Sequence, residues 1–359
     1  MIRVYGIQMG NHSFQRVGKG MAKGLEQIGA LAGFLPMDTM DEWGSYPGAL
    51  APIGVMSAPP PAMIRLSTLG AAHKHKLFML APNSNWLPDE IIALGENCLT
   101  SWLAPSSWAA SVIRKHTDVP VSVWRHGIDG QFYPNDDDAA ARLAEYERGE
   151  FTVIHMSSSV AERKGTEQLL DAWCELVGRG RLGKRPSLRL MLPRQEIDRY
   201  QALVDYDACH IPEVIQTVSL SAPRDMSPEA AAAYYRSAHV VCQPSRGEGF
   251  GMVPLEARAC GVPVVATTLA TGHSEHMNPT TPGVVDVPVG ADESIDDGPG
   301  ALAPSLDPRD VQRSLHRAYD EWPEIQADAL RVAPSLGLEW SWKSVTETWW
   351  QAYGQEMSR

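Results

Sequence analysis

The sequence predicts an α/β protein with two doubly wound domains of parallel sheet, and three observations carry that expectation. Short apolar runs alternate with helix-like amphipathic segments, the pattern left by strand–helix–strand units. The length, 359 residues, is too great for one typical core and suits two domains of moderate size. Glycine-containing turns follow two of the strands, the position at which such sheets seat ligands.

In the first half, Ile2–Ile7 reads as the opening strand, followed by the turn Gln8-Met-Gly-Asn-His12 and an amphipathic helix from about Phe14 to Ile28. Residues 36–62, rich in Pro, Gly and Met, read as loop around short strands. Lys76–Ala81 is a strand that ends at Pro82-Asn-Ser-Asn-Trp-Leu-Pro88, and Cys98–Ala104 is another. Ser106–His116 is a helix capped by Ser106 or Ser107, and Pro120–Trp124 is the last strand of this half. The acidic stretch Asn135–Asp138 has the composition of an exposed linker.

The second half opens with a strand at Phe151–Met156. Ser157 to Gly165 forms a loop before an apolar-periodic helix. Leu188–Leu192 and Val214–Leu220 are further strands, Ser227–Ser237 is a helix, and His239–Gln243 is a strand. Residues 278–304 read as a Pro/Gly/Asp-rich loop, and Pro308–Trp322 as a helix ended or kinked at Pro323. The tail Trp340–Tyr353 is an amphipathic helix dense in aromatic residues.

Composition narrows the function classes. The formal charge is −12, unevenly placed: residues 1–130 carry ten Lys/Arg against nine Asp/Glu, the remainder 21 against 34. Global acidity argues against non-specific polyanion binding, although Arg65, His73, Lys74, His75 and Lys76 form a local basic cluster. The five cysteines are scattered without a Cys-x-x-Cys pair, so neither a zinc site nor a disulfide framework is indicated. The start reads as a strand and not a signal peptide, and no apolar run approaches membrane-spanning length. These readings predict a cytoplasmic protein.

The most informative run is Gly247-Glu-Gly-Phe-Gly-Met-Val-Pro-Leu-Glu256-Ala-Arg-Ala-Cys-Gly-Val-Pro-Val-Val-Ala-Thr267. It reads as a glycine turn, a helix opened by Pro254, and a buried strand from Val262. The glycines let backbone N–H groups approach a ligand, and the helix start adds partial positive charge. Two carboxylates beside such a phosphate seat would repel phosphate, so Glu248 and Glu256 are suited to hold hydroxyls. A nucleotide-sugar offers both chemistries.

The segment Tyr235–Thr267 closely resembles the signature of retaining glycosyltransferases with the GT-B fold, whose paired glutamates frame seven residues. Ala104-Pro-Ser-Ser-Trp108 and His126-Gly-Ile-Asp129 resemble the end of the amino-terminal domain in the same group, and Arg163-Lys164-Gly165 matches its basic pair. The resemblance implies two Rossmann-like domains facing across a cleft. Residues 1–130 would form the acceptor domain, 131–335 the nucleotide-sugar donor domain, and 336–359 a helix crossing back to the first.

It further implies that Glu256 holds the ribose and Glu248 the transferred sugar. Gly249, Phe250, Gly251, Met252 and Val253, with Arg163 and Lys164, would take the diphosphate, and Ser157 and Gly10 would line the donor side. Many members carry a histidine near the reacting sugar; here Asn83, Asn85, Asn11 or His12 stand as substitutes. His273, Glu275 and His276 fit a pocket wall or a plain loop better than a metal site. The donor is a substrate, with UDP the commoner base, and neither a cofactor nor a metal is expected. The acceptor expectation is a carbohydrate, glycan or small-molecule hydroxyl. The alternatives are a hydroxymethylated pyrimidine in DNA, as in phage enzymes, a nucleotide-sugar epimerase, and a non-catalytic sugar-nucleotide binder.

Overall fold

The computed structural model describes residues 1–6, 13–36, 53–57, 73–157, 162–208, 210–222, 226–269, 271–296 and 298–357. Among them the chain forms two six-stranded parallel sheets and a two-stranded antiparallel hairpin. Gly10, Asn11, His12 and Arg65 lie outside the described residues, as does most of 36–62.

The first sheet has the order β2-β1-β3-β4-β5-β6. Its strands are β1 (Ile2–Gly6), β2 (Leu31–Pro36), β3 (Ile53–Ser57), β4 (His75–Met79), β5 (Ser101–Ala104) and β6 (Val121–Val123). Helices α1 (Ser13–Gln27), α2 (Asp89–Cys98) and α3 (Ser107–Ile113) connect them. The expected strand Cys98–Ala104 is therefore shorter, because Cys98 closes α2, a helix whose acidic first turn, Asp89 and Glu90, complements the helix dipole. Ser106 caps α3 through its hydroxyl, which accepts from the Ala109 amide at 3.0 Å.

The acidic stretch after residue 134 is helix and not linker. Asn135 accepts the Asp138 amide at 2.9 Å and opens α4 (Asp136–Glu147), so the three aspartates occupy the first turn, where negative charge is favoured.

The second sheet runs β12-β11-β10-β7-β8-β9. It is built from β7 (Glu150–Met156), β8 (Arg185–Met191), β9 (Val218–Ser221), β10 (Val240–Gln243), β11 (Val264–Ala266) and β12 (Val284–Asp286). The intervening helices are α5 (Thr166–Gly178), α6 (Ile197–Ala208), α7 (Val214–Thr217), α8 (Pro228–Arg236) and α9 (Met252–Ala259). Residues 214–217 are helical, so the strand expected from Val214 begins at Val218. Helix α9 starts at Met252, two residues before Pro254, because Gly251 at φ +88° is its N-cap.

The region read as loop contains the hairpin β13 (Asp292–Ser294) and β14 (Leu302–Pro304). The chain ends in α10 (Pro308–Asp320), α11 (Trp322–Glu339), with Pro323 in its first turn, and α12 (Trp342–Trp349).

Helix α12 packs on α1 of the first half. The contact depends on Gly20 and Gly24, one turn apart on α1: a Cβ at Gly20 would collide with the Trp342 indole, and one at Gly24 with the Thr346 hydroxyl. Trp349 stacks on Trp124 with centroids 4.0 Å apart, both fully buried. One apolar core runs continuously from β1 and α1 through Trp124 to α9 and α12. Separate cores fill the remaining faces of each sheet.

Candidate active site

The two halves meet at the carboxyl ends of their strands. Beyond β10, the turn Gly247–Gly251 lies against the first half so closely that side chains are excluded. A Cβ on Gly247 would strike the Asn83 carbonyl oxygen, and one on Gly249 would come within 2.8 Å of the Ala81 Cβ. The Ser106 hydroxyl donates to the Gly249 carbonyl at 2.7 Å, fixing the turn from the opposite side.

Two helices begin at this cleft in the same unusual way. Gly165 (φ +70°) precedes α5 and Gly251 (φ +88°) precedes α9, and neither helix start has a side-chain cap. By contrast α3, α4, α8, α10 and α12 are each capped by a Ser, Asn or Asp side chain. Left-handed glycines without side-chain caps leave the first helical amides available to an anion. A side chain at 251 is also blocked by the His273 ring.

The charged residues expected at the site are brought together. Lys164 donates to Glu248 Oε1, and Arg163 donates to the Gly247 carbonyl while its Nη1 stands 4.0 Å from Glu248 Oε2. All three side chains are at least 85% buried. Burial, reinforced by neighbouring Arg163, holds the Lys164 ammonium well below its ordinary pKa. The Arg163 carbonyl accepts the Arg246 amide at 2.8 Å, tying the basic pair to the strand that feeds the glycine turn.

Glu256 is fully buried on α9. Its Oε2 accepts the Tyr235 hydroxyl at 2.8 Å and its Oε1 accepts Arg16 of α1, a residue 240 positions earlier. Burial raises the carboxyl pKa, and the Arg16 charge opposes that rise. Nothing in the sequence singles out Arg16, because its partner is distant in the chain.

Other expected site residues have structural partners. The Ser157 amide donates to the Met191 carbonyl at 2.8 Å. Asn85 is engaged by the hairpin: its Oδ1 accepts the Leu302 amide at 2.7 Å and its own amide donates to the Leu302 carbonyl at 3.3 Å. Trp86 fills the space beside Gly298 of the same hairpin. Arg246 anchors the hairpin from below, donating to the Pro304 carbonyl at 3.0 Å and to Glu293 at 2.6 Å.

His273, Glu275 and His276 point in different directions. The His273 Nδ1 bonds the Thr267 carbonyl at 2.8 Å, and burial lowers its pKa to about 4. His276 Nε2 donates to the Phe250 and Gly251 carbonyls at 3.2 and 3.0 Å. Glu275 reaches the first half, where it accepts the Ser107 amide at 2.5 Å and Arg125 at 2.7 Å. It is a fastener between halves, a role missed in the sequence. Among the described residues, the Ser245 hydroxyl and His273 Nε2 are buried without a hydrogen-bond partner.

Comparison with known proteins agrees with this geometry. Residues 150–321 match the family model for glycosyl transferases group 1. A D-inositol 3-phosphate glycosyltransferase of Corynebacterium jeikeium is 30% identical over 255 residues, covering 66% of this chain and 52% of that protein. The corresponding protein of Saccharomonospora viridis is 27% identical over 241 residues, covering 65% and 49%. The chain thus spans about half the length of the curated relatives it matches. Among solved structures, Anabaena Alr3699/HepE in complex with UDP and glucose superposes with a TM-score of 0.71 at 15% identity, covering 99% of this chain and 100% of that one. Sucrose-phosphate synthase from Thermosynechococcus elongatus gives 0.71 at 14% identity, covering 99% of both. These likenesses establish the GT-B fold. No helix among the described residues is long and apolar enough to cross a membrane. On the match of residues 150–321 and on its fold, the chain is similar to the group 1 glycosyl transferases.

Proposed function

We propose that this protein transfers a sugar from a nucleoside-diphosphate sugar to an acceptor hydroxyl with retention of anomeric configuration. The observation that carries this reading is the convergence of Arg163, Lys164 and Glu248 on the glycine turn between two helix starts without side-chain caps. The diphosphate would lie on the amides at Gly251–Val253, and the cations would neutralise charge as it develops on the leaving oxygen. Positive charge at the leaving group then comes from the protein itself, and the chemistry asks for no metal.

In the step we propose, the acceptor oxygen bonds the anomeric carbon on the face from which the diphosphate departs. The bond from that carbon to the phosphate oxygen breaks, and the acceptor proton passes to a phosphate oxygen. Such a route needs leaving-group stabilisation more than a protein nucleophile. Glu248 would accept hydroxyls of the transferred sugar and Glu256 those of the ribose. Each carboxylate oxygen has a second lone pair beyond the bond it already accepts. UDP is the favoured base, because the HepE structure that shares the fold was solved with UDP and glucose.

A panel of UDP-, GDP- and ADP-sugars scored by thermal shift tests the donor, since the true ligand raises stability by mass action. The expected result is a rise with UDP-sugars, followed by UDP release and an α-linked product from an α-linked donor on addition of an acceptor. A product of inverted configuration would overturn the retaining step. Binding without nucleotide release across acceptor classes would overturn transfer itself.

A further inference from the structure

We infer that Arg16 is the positioning residue for the donor's ribose, acting through Glu256 from the opposite half of the molecule. This rests on the donor reading above and adds to it a residue of the first half.

Four observations converge. Glu256 has no exposed surface, whereas the Arg16 side chain is one third exposed, so the pair is open on the Arg16 side. Both carboxylate oxygens are fixed, one by the guanidinium and one by the Tyr235 hydroxyl, which sets the plane of the carboxylate. The guanidinium also lies 5.8 Å from the Phe132 ring centroid, on the segment that joins the halves. Finally, α1 cannot drift: Gly20 and Gly24 seat it against α12, and Lys23 reaches Asp129 at 2.9 Å.

Buried away from a cation, a carboxyl group takes up a proton and stops acting as a double acceptor. The Arg16 guanidinium, permanently charged, keeps Glu256 ionised and aimed. The second lone pairs of its oxygens are then free to accept two vicinal hydroxyls. Among the described residues, the groups that face Glu256 are Arg16 of α1, Tyr235 of α8, Asp129 of the connecting segment and Cys260 just beyond α9. Arg16 is the one cation among these four, so its charge decides the ionisation of the acid.

The test is the affinity of UDP, measured by calorimetry from pH 5.5 to 8.5 on the full chain, with donor KM and kcat alongside. Wild type should bind with a nearly flat profile. Arg16→Gln should weaken UDP binding at least tenfold at pH 6 and recover part of it as pH rises and Glu256 ionises. Donor KM should rise while kcat changes less than threefold, and Arg16→Lys should restore the flat profile. A profile for Arg16→Gln identical to wild type refutes the inference. Where Arg16→Gln does not fold, Arg16→Lys decides: affinity within threefold of wild type supports it, and a tenfold, pH-independent loss refutes it. Should wild type bind none of the nucleoside diphosphates, it is the donor reading that fails.

Discussion

Lys164 donates its ammonium to the Glu248 carboxylate, so the group proposed to meet the leaving diphosphate is held by the group proposed to meet the sugar. The two residues lie 84 positions apart, in the connections that follow β7 and β10, which are neighbours in the sheet. The pairing of β7 with β10 in the sheet brings these two connections together.

The pairing bears on pH. Burial and Arg163 lower the Lys164 pKa from its ordinary 10.5, so the ammonium is lost as pH rises through a value below that. Wild-type turnover should therefore fall on the alkaline side before pH 10.5. Lys164→Arg should move that limb upward, because a guanidinium stays charged. Lys164→Ala or Arg163→Ala should cost about 10²–10³-fold in kcat, the usual loss for one stabilising donor. Steady-state release of nucleoside diphosphate measures all three, and full turnover in both alanine variants would remove the leaving-group argument.

Acid should unfold the protein through its histidines. Burial lowers the pKa of His126 to about 3 and those of His155, His239 and His273 to about 4. In the unfolded chain each binds a proton near its ordinary value of 6.5. Stability from these neutral rings is thus complete above pH 6.5 and lost as pH falls towards 4, at about 1.4 kcal/mol per pH unit for each ring. The urea midpoint should drop accordingly between pH 7 and pH 5. His126, with both ring nitrogens unpartnered, is the cleanest case. His126→Gln should reduce proton uptake on unfolding by about one, and unchanged uptake would assign the acid lability elsewhere.

The contact between α1 and α12 should be sensitive to a single methyl group. Gly20→Ala gains about 1 kcal/mol of helix propensity, but its Cβ meets the Trp342 indole. Overpacking of this kind costs about 1–3 kcal/mol, so net destabilisation is expected. Gly130→Ala, where nothing lies within 4 Å, should be near neutral. Trp349→Ala removes a buried ring stacked on Trp124 and should cost about 3–5 kcal/mol. Urea titrations followed by tryptophan fluorescence report each of these. A neutral Gly20→Ala would mean that the helices separate easily.

The sequence shows those parts of the molecule that are determined locally. The glycine turn, the helix after it and the apolar strand from Val264 are adjacent in the chain and obey short-range rules, so the seat could be read there. Arg163 and Lys164 were legible because they sit between a strand and a Gly-Thr helix start. What escaped was long-range or in competition with a local signal. Arg16 and Glu256 lie 240 positions apart, and no spacing rule connects them. The aspartates after Asn135 look like a solvated linker by charge, yet the Asn135 cap makes them a helix. The hairpin at 292–304 is hidden by Pro, Gly and Asp, and its partner Asn85 belongs to the other half. Glu275 reads as pocket wall or plain loop in the sequence, and in the structure it fastens Ser107 and Arg125 across the interface.

The glycine face of α1 has a consequence for how the chain is made. Helix α1 is synthesised well before the helix it needs, which carries Trp342 and Thr346. Domains ordinarily fold in the order of their translation. Here the earlier domain keeps an open groove on α1 until the later one has been made, and it is completed only when α12 docks there.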